Sequence, residues 1–260
     1  MDLGLEGRTA LITGASAGIG LAVAKALMDE GVAVAIVARG AERLNAVAAD
    51  LARIGTAVAI PGDMSRADDV ERACAAAVAA LGRVDILVNN AGSAPAGRLA
   101  RMGDEVFRDA IDLKLMGYVR TARLLTPAMR ARRWGRVVNV IGRRGQVPGP
   151  DFVVGGSVNA ALLNFTGALA LDCASDNVLV NAVNPGPILT PRAGDLLRQK
   201  AADSGKSEDE VKKTVVSRVP LARYGTPEEV AAAVLFLCSE PAGYITGTAL
   251  NVDGGGAVDR

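Results

Sequence analysis

The sequence contains no histidine among its 260 residues. A Ser-His-Asp triad, a Cys-His dyad and every metal site that needs a histidine ligand are therefore excluded. Aromatic residues make up only 3% of the chain, and the 29 Lys and Arg residues nearly balance the 28 Asp and Glu residues. Without a surplus of basic residues, the composition argues against nucleic acid and against an anionic membrane surface as partners.

Cysteine is also scarce, since Cys74, Cys173 and Cys238 lie far apart and form no CxxC pair. Neither a zinc ribbon nor a disulfide framework is indicated, and we expect three buried thiols in a reducing compartment. The N-terminus lacks the basic start and apolar stretch of a signal peptide. We also interpret no apolar run as a membrane span of about 20 residues. The sequence thus predicts a cytoplasmic protein.

The chain is half hydrophobic, and its length suits one α/β domain better than two. Short apolar runs alternate with longer segments of helical periodicity. The predicted strands cover residues 9–13, 32–38, 57–61, 84–89, 136–141, 178–184 and 249–252, and the predicted helices cover residues 18–30, 42–53, 66–81, 104–133, 152–175 and 227–238. This alternation predicts a doubly wound sheet of about seven parallel strands with helices on both faces.

Residues 191–219 are the longest stretch without a predicted strand or helix. They are polar and lie just before the last predicted helix, so two interpretations stay open. The segment is a candidate substrate lid over a site at the sheet edge, or it is a solvated surface segment.

A glycine-rich turn follows the first predicted strand and opens the first predicted helix. Its glycines are Gly14, Gly18 and Gly20. Glycines at this place permit a tight turn and a close approach of the backbone to a pyrophosphate, which then lies at the helix N-terminus. A glycine-rich turn alone is weak evidence, but its position between a strand and a helix favours a dinucleotide site.

The turn itself reads TGASAGIG at residues 13–20, and four further motifs follow it along the chain. The first is NNAG at residues 89–92. The other three are NPGPILT at residues 184–190, PLARYGTPEEV at residues 220–230 and TG…VDGG at residues 246–255. In these motifs the chain resembles the short-chain dehydrogenases/reductases, over essentially its whole length. The resemblance implies a Rossmann-type fold, a single NAD(P)-binding domain over residues 1–260, a small carbonyl or alcohol substrate, and a homotetramer.

The resemblance also implies a role for individual positions. Ser16 and Ile19 would border the pyrophosphate, Asp63 would accept a hydrogen bond from the adenine, and Ile188 and Thr190 would hold the carboxamide. The full set of implied cofactor-binding residues is Gly14, Ser16, Gly18, Ile19, Gly20, Arg39, Asp63, Met64, Asn90, Ala91, Gly92, Pro185, Gly186, Ile188 and Thr190.

The end of the second predicted strand indicates which dinucleotide binds. NAD enzymes place a carboxylate there, which accepts hydrogen bonds from the ribose 2′-hydroxyl. Here the position is Ala38, and the next residue is Arg39. A neutral residue followed by a guanidinium favours a 2′-phosphate, so we predict NADP(H) over NAD(H).

The catalytic positions depart from the family pattern. Members use a Ser, a Tyr and a Lys with a helper Asn, and the Tyr acts as general acid or base. With the flanking motifs in register, Gly142 stands at the Ser position, Gly155 at the Tyr position, Asn159 at the Lys position and Lys114 at the Asn position. None of the three tyrosines is followed by a lysine four residues later, so no YxxxK motif exists. We expect Tyr118 to be a packing residue.

Two consequences follow for the site. The glycines at positions 142 and 155 remove side-chain volume, which predicts a roomier pocket beside the nicotinamide. The loop after the fifth predicted strand carries Arg143, Arg144 and Gln146. These residues either bind an anionic group of the substrate or face solvent.

The Lys and the helper Asn are exchanged between the two helices, with Lys114 on the earlier and Asn159 on the later one. If the helices pack as the resemblance implies, Lys114 and Asn159 form the catalytic pair, with the lysine as acid or base. Three functions stay open: an oxidoreductase with a non-standard proton relay, a non-redox lyase or isomerase on the same fold, and a catalytically silent cofactor-binding protein.

Overall fold

The computed structural model describes residues 2–257, and the side chains of residues 199 and 203 are left out of the description. Its strands are β1 Thr9–Thr13, β2 Ala33–Ala38, β3 Ala57–Pro61, β4 Ile86–Asn89, β5 Gly135–Val140, β6 Val178–Pro185 and β7 Ala249–Val252. They form one parallel sheet in the order β3-β2-β1-β4-β5-β6-β7. This arrangement confirms the predicted doubly wound α/β fold.

Helices cover both faces of the sheet because the strands are apolar on both sides. The helices are α1 Gly18–Asp29, α2 Ala41–Leu51, α3 Ala67–Leu81, α4 Asp104–Ala110, α5 Gly117–Ala131, α6 Val153–Cys173, α7 Pro191–Ser204, α8 Glu208–Val216 and α9 Pro227–Cys238. In β1, Ile12 packs into the cluster formed with α1 and α9, and Leu11 packs into the cluster formed with α3 and α5.

The predicted helix over residues 104–133 is interrupted. A π-helical segment, Ile111–Met116, separates α4 from α5. Pro127 lies inside α5, which nevertheless continues to Ala131. The wider π-helical turn changes which side chains face the sheet edge, and single-turn π segments occur often at functional sites.

Residues 191–219 are more ordered than the sequence suggested, because they contain the two helices α7 and α8. Leu197 and Ala201 of α7 pack against Val211 of α8 in a small cluster of their own. Ser207 caps α8 through a reciprocal capping box with Glu210. The segment is therefore a helical pair beside the sheet edge.

The expectation that no segment is long and apolar enough to span a membrane needs one correction. Residues 153–176 are long and apolar enough to cross a membrane by length and composition alone. A core helix passes the same test, and this one packs one side into the protein, with Val154, Val158 and Leu162 buried.

A compact charged cluster surrounds the start of β5. Arg136 is only 1% exposed, and its guanidinium lies 4.4 Å from the centroid of the Trp134 ring. Arg8 lies against the same ring at 3.7 Å. Glu240 pairs with Arg136 at 3.5 Å and accepts a hydrogen bond of 2.7 Å from the Trp134 indole nitrogen. Burial lowers the pKa of Arg136, and the Glu240 carboxylate opposes that effect.

Replacing Glu240 by glutamine is expected to lower the free energy of unfolding by about 1–3 kcal/mol, since Arg136 would keep its buried charge without a counter-charge. Denaturant titration measures this difference. The matched control is Asp50→Asn, because Asp50 pairs with an Arg53 side chain that is 82% exposed; its expected effect is below about 0.5 kcal/mol. Equal effects of the two substitutions would contradict the assigned role of Glu240.

Candidate active site

A cleft of about 1360 Å³ lies at the carboxyl ends of the strands, beside the crossover between β1 and β4. Ligands of open α/β sheets bind at such a crossover. The cleft runs from the glycine-rich turn to the inner side of α7 and α8. The cleft therefore extends from the glycine-rich turn, the candidate dinucleotide site, to the helices α7 and α8.

The glycine-rich turn is locked onto the loop after β4. The Asn90 side-chain amide donates to the carbonyl oxygens of Thr13 and Gly14, at 3.1 and 3.0 Å. The Thr13 hydroxyl accepts hydrogen bonds from the N–H groups of Asn90 and Ala91. A Cβ atom at Gly20 would lie 2.5 Å from the Gly14 carbonyl oxygen. Only glycine lets α1 start this close to the turn.

The start of α1 has the donors that a pyrophosphate needs. Its N-cap residue, Ala17, makes no side-chain capping bond, so the first N–H groups of the helix are left for another partner. Gly18, with φ +56°, and Ile19 line the cleft at this point. An uncapped helix N-terminus at a cleft fits a bound phosphate group.

The far end of the predicted cofactor site lies at the ends of β2 and β3. Ala38 ends β2, and Arg39 follows it with an exposed side chain. Burial alone would raise the pKa of Asp63, but hydrogen bonds from Ser65 and the charges of Arg39 and Arg66 lower it overall. Arg39 is thus one of two cations that favour the ionised form of Asp63. The two residues provide a cation and an ionised acceptor where the adenosine end would lie.

The structure separates the predicted cofactor residues into two groups. Ten of them line the cleft: Gly14, Gly18, Ile19, Asn90, Ala91, Gly92, Pro185, Gly186, Ile188 and Thr190. Five lie outside its lining: Ser16, Gly20, Arg39, Asp63 and Met64. Of these, Gly20 acts through packing beneath the turn, and Met64 is 4% exposed within the core. Neither offers its side chain to the cleft.

Lys114 and Asn159 meet in the cleft. The Lys114 ammonium donates to the Asn159 side-chain oxygen at 2.8 Å and to the main-chain oxygen of Ile141 at 2.5 Å. Burial lowers the pKa of Lys114 to about 7, and the charge of Arg192 contributes in the same direction. At neutral pH the amine therefore populates both its protonated and its neutral form.

The π-helical segment and Gly92 determine where the Lys114 side chain lies. It lies in the π-helical segment between α4 and α5. Its aliphatic chain runs over Gly92, where a Cβ atom would lie 2.7 Å from the lysine Cδ. Gly92 thus leaves room for the lysine stem, so the NNAG motif serves Lys114 as well as the turn.

Gly142 continues this arrangement on the β5 side. It has φ +127°, a conformation that strains residues with a side chain. The Asn159 side-chain amide donates to the Gly142 oxygen, and the Gly142 N–H donates to the Asn184 side chain, both at 3.3 Å. Asn159 therefore bridges Lys114 and the backbone of Gly142.

The prediction of a roomier pocket is wrong at Gly155. A Cβ atom there would lie 2.1 Å from Cε1 of the Phe152 ring, so the ring already occupies the space beside this glycine. Both residues line the cleft. The space beside Gly155 is filled by the apolar ring of Phe152 from the preceding turn.

The three residues predicted to contact substrate differ in position. Arg143 and Arg144 line the cleft, whereas Gln146 is exposed and lies outside the lining. One nitrogen of the Arg143 guanidinium donates to the Gly256 carbonyl oxygen at 2.7 Å. Arg143 thus anchors the C-terminal segment, and Arg144 is freer to meet a ligand.

Sequence reasoning missed Arg192 at the start of α7. Its guanidinium donates to the carbonyl oxygens of Gly92 and Ala94, at 2.7 and 3.1 Å. It therefore ties the helical pair to the loop after β4, above Lys114. Its only sequence signal was its place two residues after Thr190.

A network of buried polar side chains lies beneath the cleft. Asn89 of β4 donates to Asn139 of β5 at 3.0 Å and accepts from the Thr121 hydroxyl at 2.8 Å. Asn139 in turn donates to Thr166 of α6 at 3.0 Å. As expected, Tyr118 is a packing residue, 1% exposed with its hydroxyl bonded to the Val140 oxygen.

Comparison with known proteins gives matches over nearly the whole chain. A family model described as enoyl-(acyl carrier protein) reductase matches residues 14–256. The 3-oxoacyl-[acyl-carrier-protein] reductase of Synechocystis sp. is 35% identical over 254 residues, which cover 96% of this chain and 97% of that protein.

Solved structures agree with these matches. L-sorbose reductase from Gluconobacter frateurii, solved with NADPH and L-sorbose, has a TM-score of 0.94 at 35% identity, and the match covers 100% of both chains. An actinorhodin polyketide ketoreductase solved with NADPH has a TM-score of 0.93 at 34% identity, covering 97% of this chain and 98% of that one. The motifs, the parallel sheet and these matches together place the protein in the short-chain dehydrogenase/reductase family of oxidoreductases.

Proposed function

We propose that this protein is an NADP(H)-dependent oxidoreductase of a carbonyl or alcohol substrate, in which Lys114 replaces the family's tyrosine as proton donor and acceptor. The observation that carries the proposal is the hydrogen bond of 2.8 Å between Lys114 and Asn159 inside the cofactor cleft. The membership in an oxidoreductase family and the reductase activities named for its relatives support the redox part.

When bound, the dinucleotide supplies or accepts the hydride. The residues of the chain do the remaining work. The N-terminus of α1 and the turn at Gly14 hold the pyrophosphate, and the Ile188–Thr190 loop borders the reacting end of the cleft. Lys114 donates its proton to the carbonyl oxygen, directly or through one water, and takes it back in alcohol oxidation.

Asn159 and Ile141 orient the lysine in this mechanism. Both present an oxygen to the Lys114 ammonium, so the amine is held in place while one of its three protons stays available. A pKa of about 7 suits a group that must both give and take a proton near neutral pH.

The proposal is tested with purified protein, NADPH and a panel of aldehydes and ketones, by following the absorbance of NADPH. Turnover of any panel member establishes a redox enzyme. Tight binding of NADPH with no turnover would favour a silent cofactor-binding protein, and absence of NADPH binding would reject the proposal.

We expect NADPH to bind more tightly than NADH, because Ala38 and Arg39 leave a neutral and cationic site for the 2′-phosphate. In Ala38→Asp a carboxylate would repel that phosphate and accept the ribose hydroxyl, shifting the preference toward NADH by roughly 10- to 100-fold. Dissociation constants from fluorescence titration measure the ratio. Tighter binding of NADH by the unchanged protein would disprove the argument.

We also propose that the protein is a homotetramer. The family resemblance implies contacts through the helices at residues 104–133 and 152–175 and through the last helix and strand. Their elements α5, α6, α9 and β7 carry large apolar side chains in contact with solvent, among them Leu171 at 86% exposure. Leu124, Phe236 and Leu250 are exposed on the other three. Light scattering at micromolar concentration is expected to give four times the chain mass, and a monomeric mass would refute the assembly.

A further inference from the structure

The lining of the cleft is strongly cationic. Among the described residues, six arginines and three lysines line the cleft, against the single carboxylate of Asp151. The whole chain has a net charge of only +1. The surplus of positive charge is therefore a local property of the cleft and does not reflect composition.

Four of these arginines come from three separate segments. Arg98 and Arg101 lie on the loop between β4 and α4, Arg144 follows β5, and Arg218 follows α8. Arg144 makes one long hydrogen bond, 3.4 Å to the Pro148 oxygen. For the other three, the described residues include no side-chain hydrogen-bond partner.

Most arginines outside the cleft form ion pairs. Thirteen of them form ion pairs with an Asp or Glu: Arg8, Arg53, Arg66, Arg72, Arg83, Arg108, Arg120, Arg130, Arg132, Arg133, Arg136, Arg198 and Arg223. None of the thirteen lines the cleft, and no cleft arginine forms an ion pair among described side chains. Gathering like charges without counter-charges costs free energy, which a bound anion would recover.

The dinucleotide does not account for these four arginines. Its predicted phosphate contacts are the start of α1 and Arg39, and Arg39 lies outside the cleft lining. The four arginines instead come from the loop after β4, the loop after β5 and the residues after α8, outside the glycine-rich turn and the start of α1. Guanidinium groups bind carboxylates and phosphates through paired hydrogen bonds.

We propose that the substrate is a small carbonyl compound that carries an oxyanion, a carboxylate or a phosphate, and that Arg101 and Arg144, aided by Arg98 and Arg218, bind this group while the carbonyl lies at Lys114. The proposal rests on the proposed function for the position of the carbonyl. The anion site itself rests on the charges that line the cleft.

The test compares charged probes with matched neutral ones in the complex with NADP⁺. One pair is acetoacetate and methyl acetoacetate, and the other is dihydroxyacetone phosphate and dihydroxyacetone. Calorimetry gives the dissociation constants. At least one charged probe is expected to bind about 10-fold or more tightly than its neutral partner, and the preference should weaken in 0.5 M salt. The pair that shows the preference distinguishes a carboxylate from a phosphate.

The double variant Arg101→Gln, Arg144→Gln is expected to weaken the preferred charged probe by about 10- to 100-fold and to leave the neutral probe within about threefold. Arg53→Gln, which alters an arginine outside the cleft, is the control and should change neither. Melting temperature and NADPH affinity, measured on each variant, verify that the fold is intact.

Equal binding of charged and neutral probes in both pairs, no binding of either charged probe, or unchanged binding in the double variant would each overturn the anion site. Reduction of neutral ketones without any preference for acids would leave the proposed function standing and this inference refuted. If an acid binds in an arginine-dependent way but the protein turns over no carbonyl compound, the anion site is supported and the proposed function is refuted.

Discussion

Lys114→Ala is expected to slow carbonyl reduction by about 10²- to 10⁴-fold, the usual effect of removing a positioned general acid. The Kd for NADPH should stay within about threefold, because the glycine-rich turn and the start of α1 are untouched. Steady-state kinetics and fluorescence titration measure the two effects. Lys25→Ala, at an exposed position of α1, is the matched control. Full activity of Lys114→Ala on a true substrate would end the proposal for this residue.

The pH dependence provides a second measure of the same residue. Burial lowers the pKa of Lys114 to about 7, and reduction needs the protonated form. The kcat/KM for reduction is therefore expected to be level at acid pH and to fall as the pH rises through about 7, while alcohol oxidation should rise through the same pH. Removing the Arg192 charge, in Arg192→Met, should move both inflections to higher pH. Unchanged inflections would assign them to another group.

Asn159→Lys is expected to lower the free energy of unfolding by about 3 kcal/mol, because a second ammonium would replace the oxygen that Lys114 contacts. The exchanged variant, Lys114→Asn with Asn159→Lys, should recover more than half of that loss and should bind NADPH better than Asn159→Lys alone. Denaturant titration of all four proteins completes a double-mutant cycle.

Asn164→Lys provides the control for this cycle, because Asn164 lies on the same helix but is exposed. We expect it to change the free energy of unfolding by less than about 0.5 kcal/mol. If the effects of the two exchanged positions simply add, within about 0.5 kcal/mol, the side chains do not interact and the proposed pair is refuted.

Local patterns were enough to predict the sheet and the cofactor end of the cleft. Strand β1 begins and ends where its apolar run predicted, because a strand buried on both faces must be continuously apolar. The edge strands β3 and β7 also have the predicted bounds, although they are only partly buried. The glycines of the first turn are required by the backbone around them, so their spacing already specified a close approach of turn and helix. The absence of a YxxxK motif is a property of the sequence alone.

Tertiary structure decided which side chains meet in the cleft, because such contacts depend on long-range packing and not on local propensity. The exchange of Lys114 and Asn159 could be read from the sequence, but their contact depends on a π-helical segment that no periodicity indicated. The Phe152 ring beside Gly155 was likewise invisible. The sequence indicated Arg144, but not that Arg98, Arg101 and Arg218 from distant segments line the same cleft. Sequence patterns specify which residues must be buried, and only the folded chain specifies which distant side chains then share a cleft.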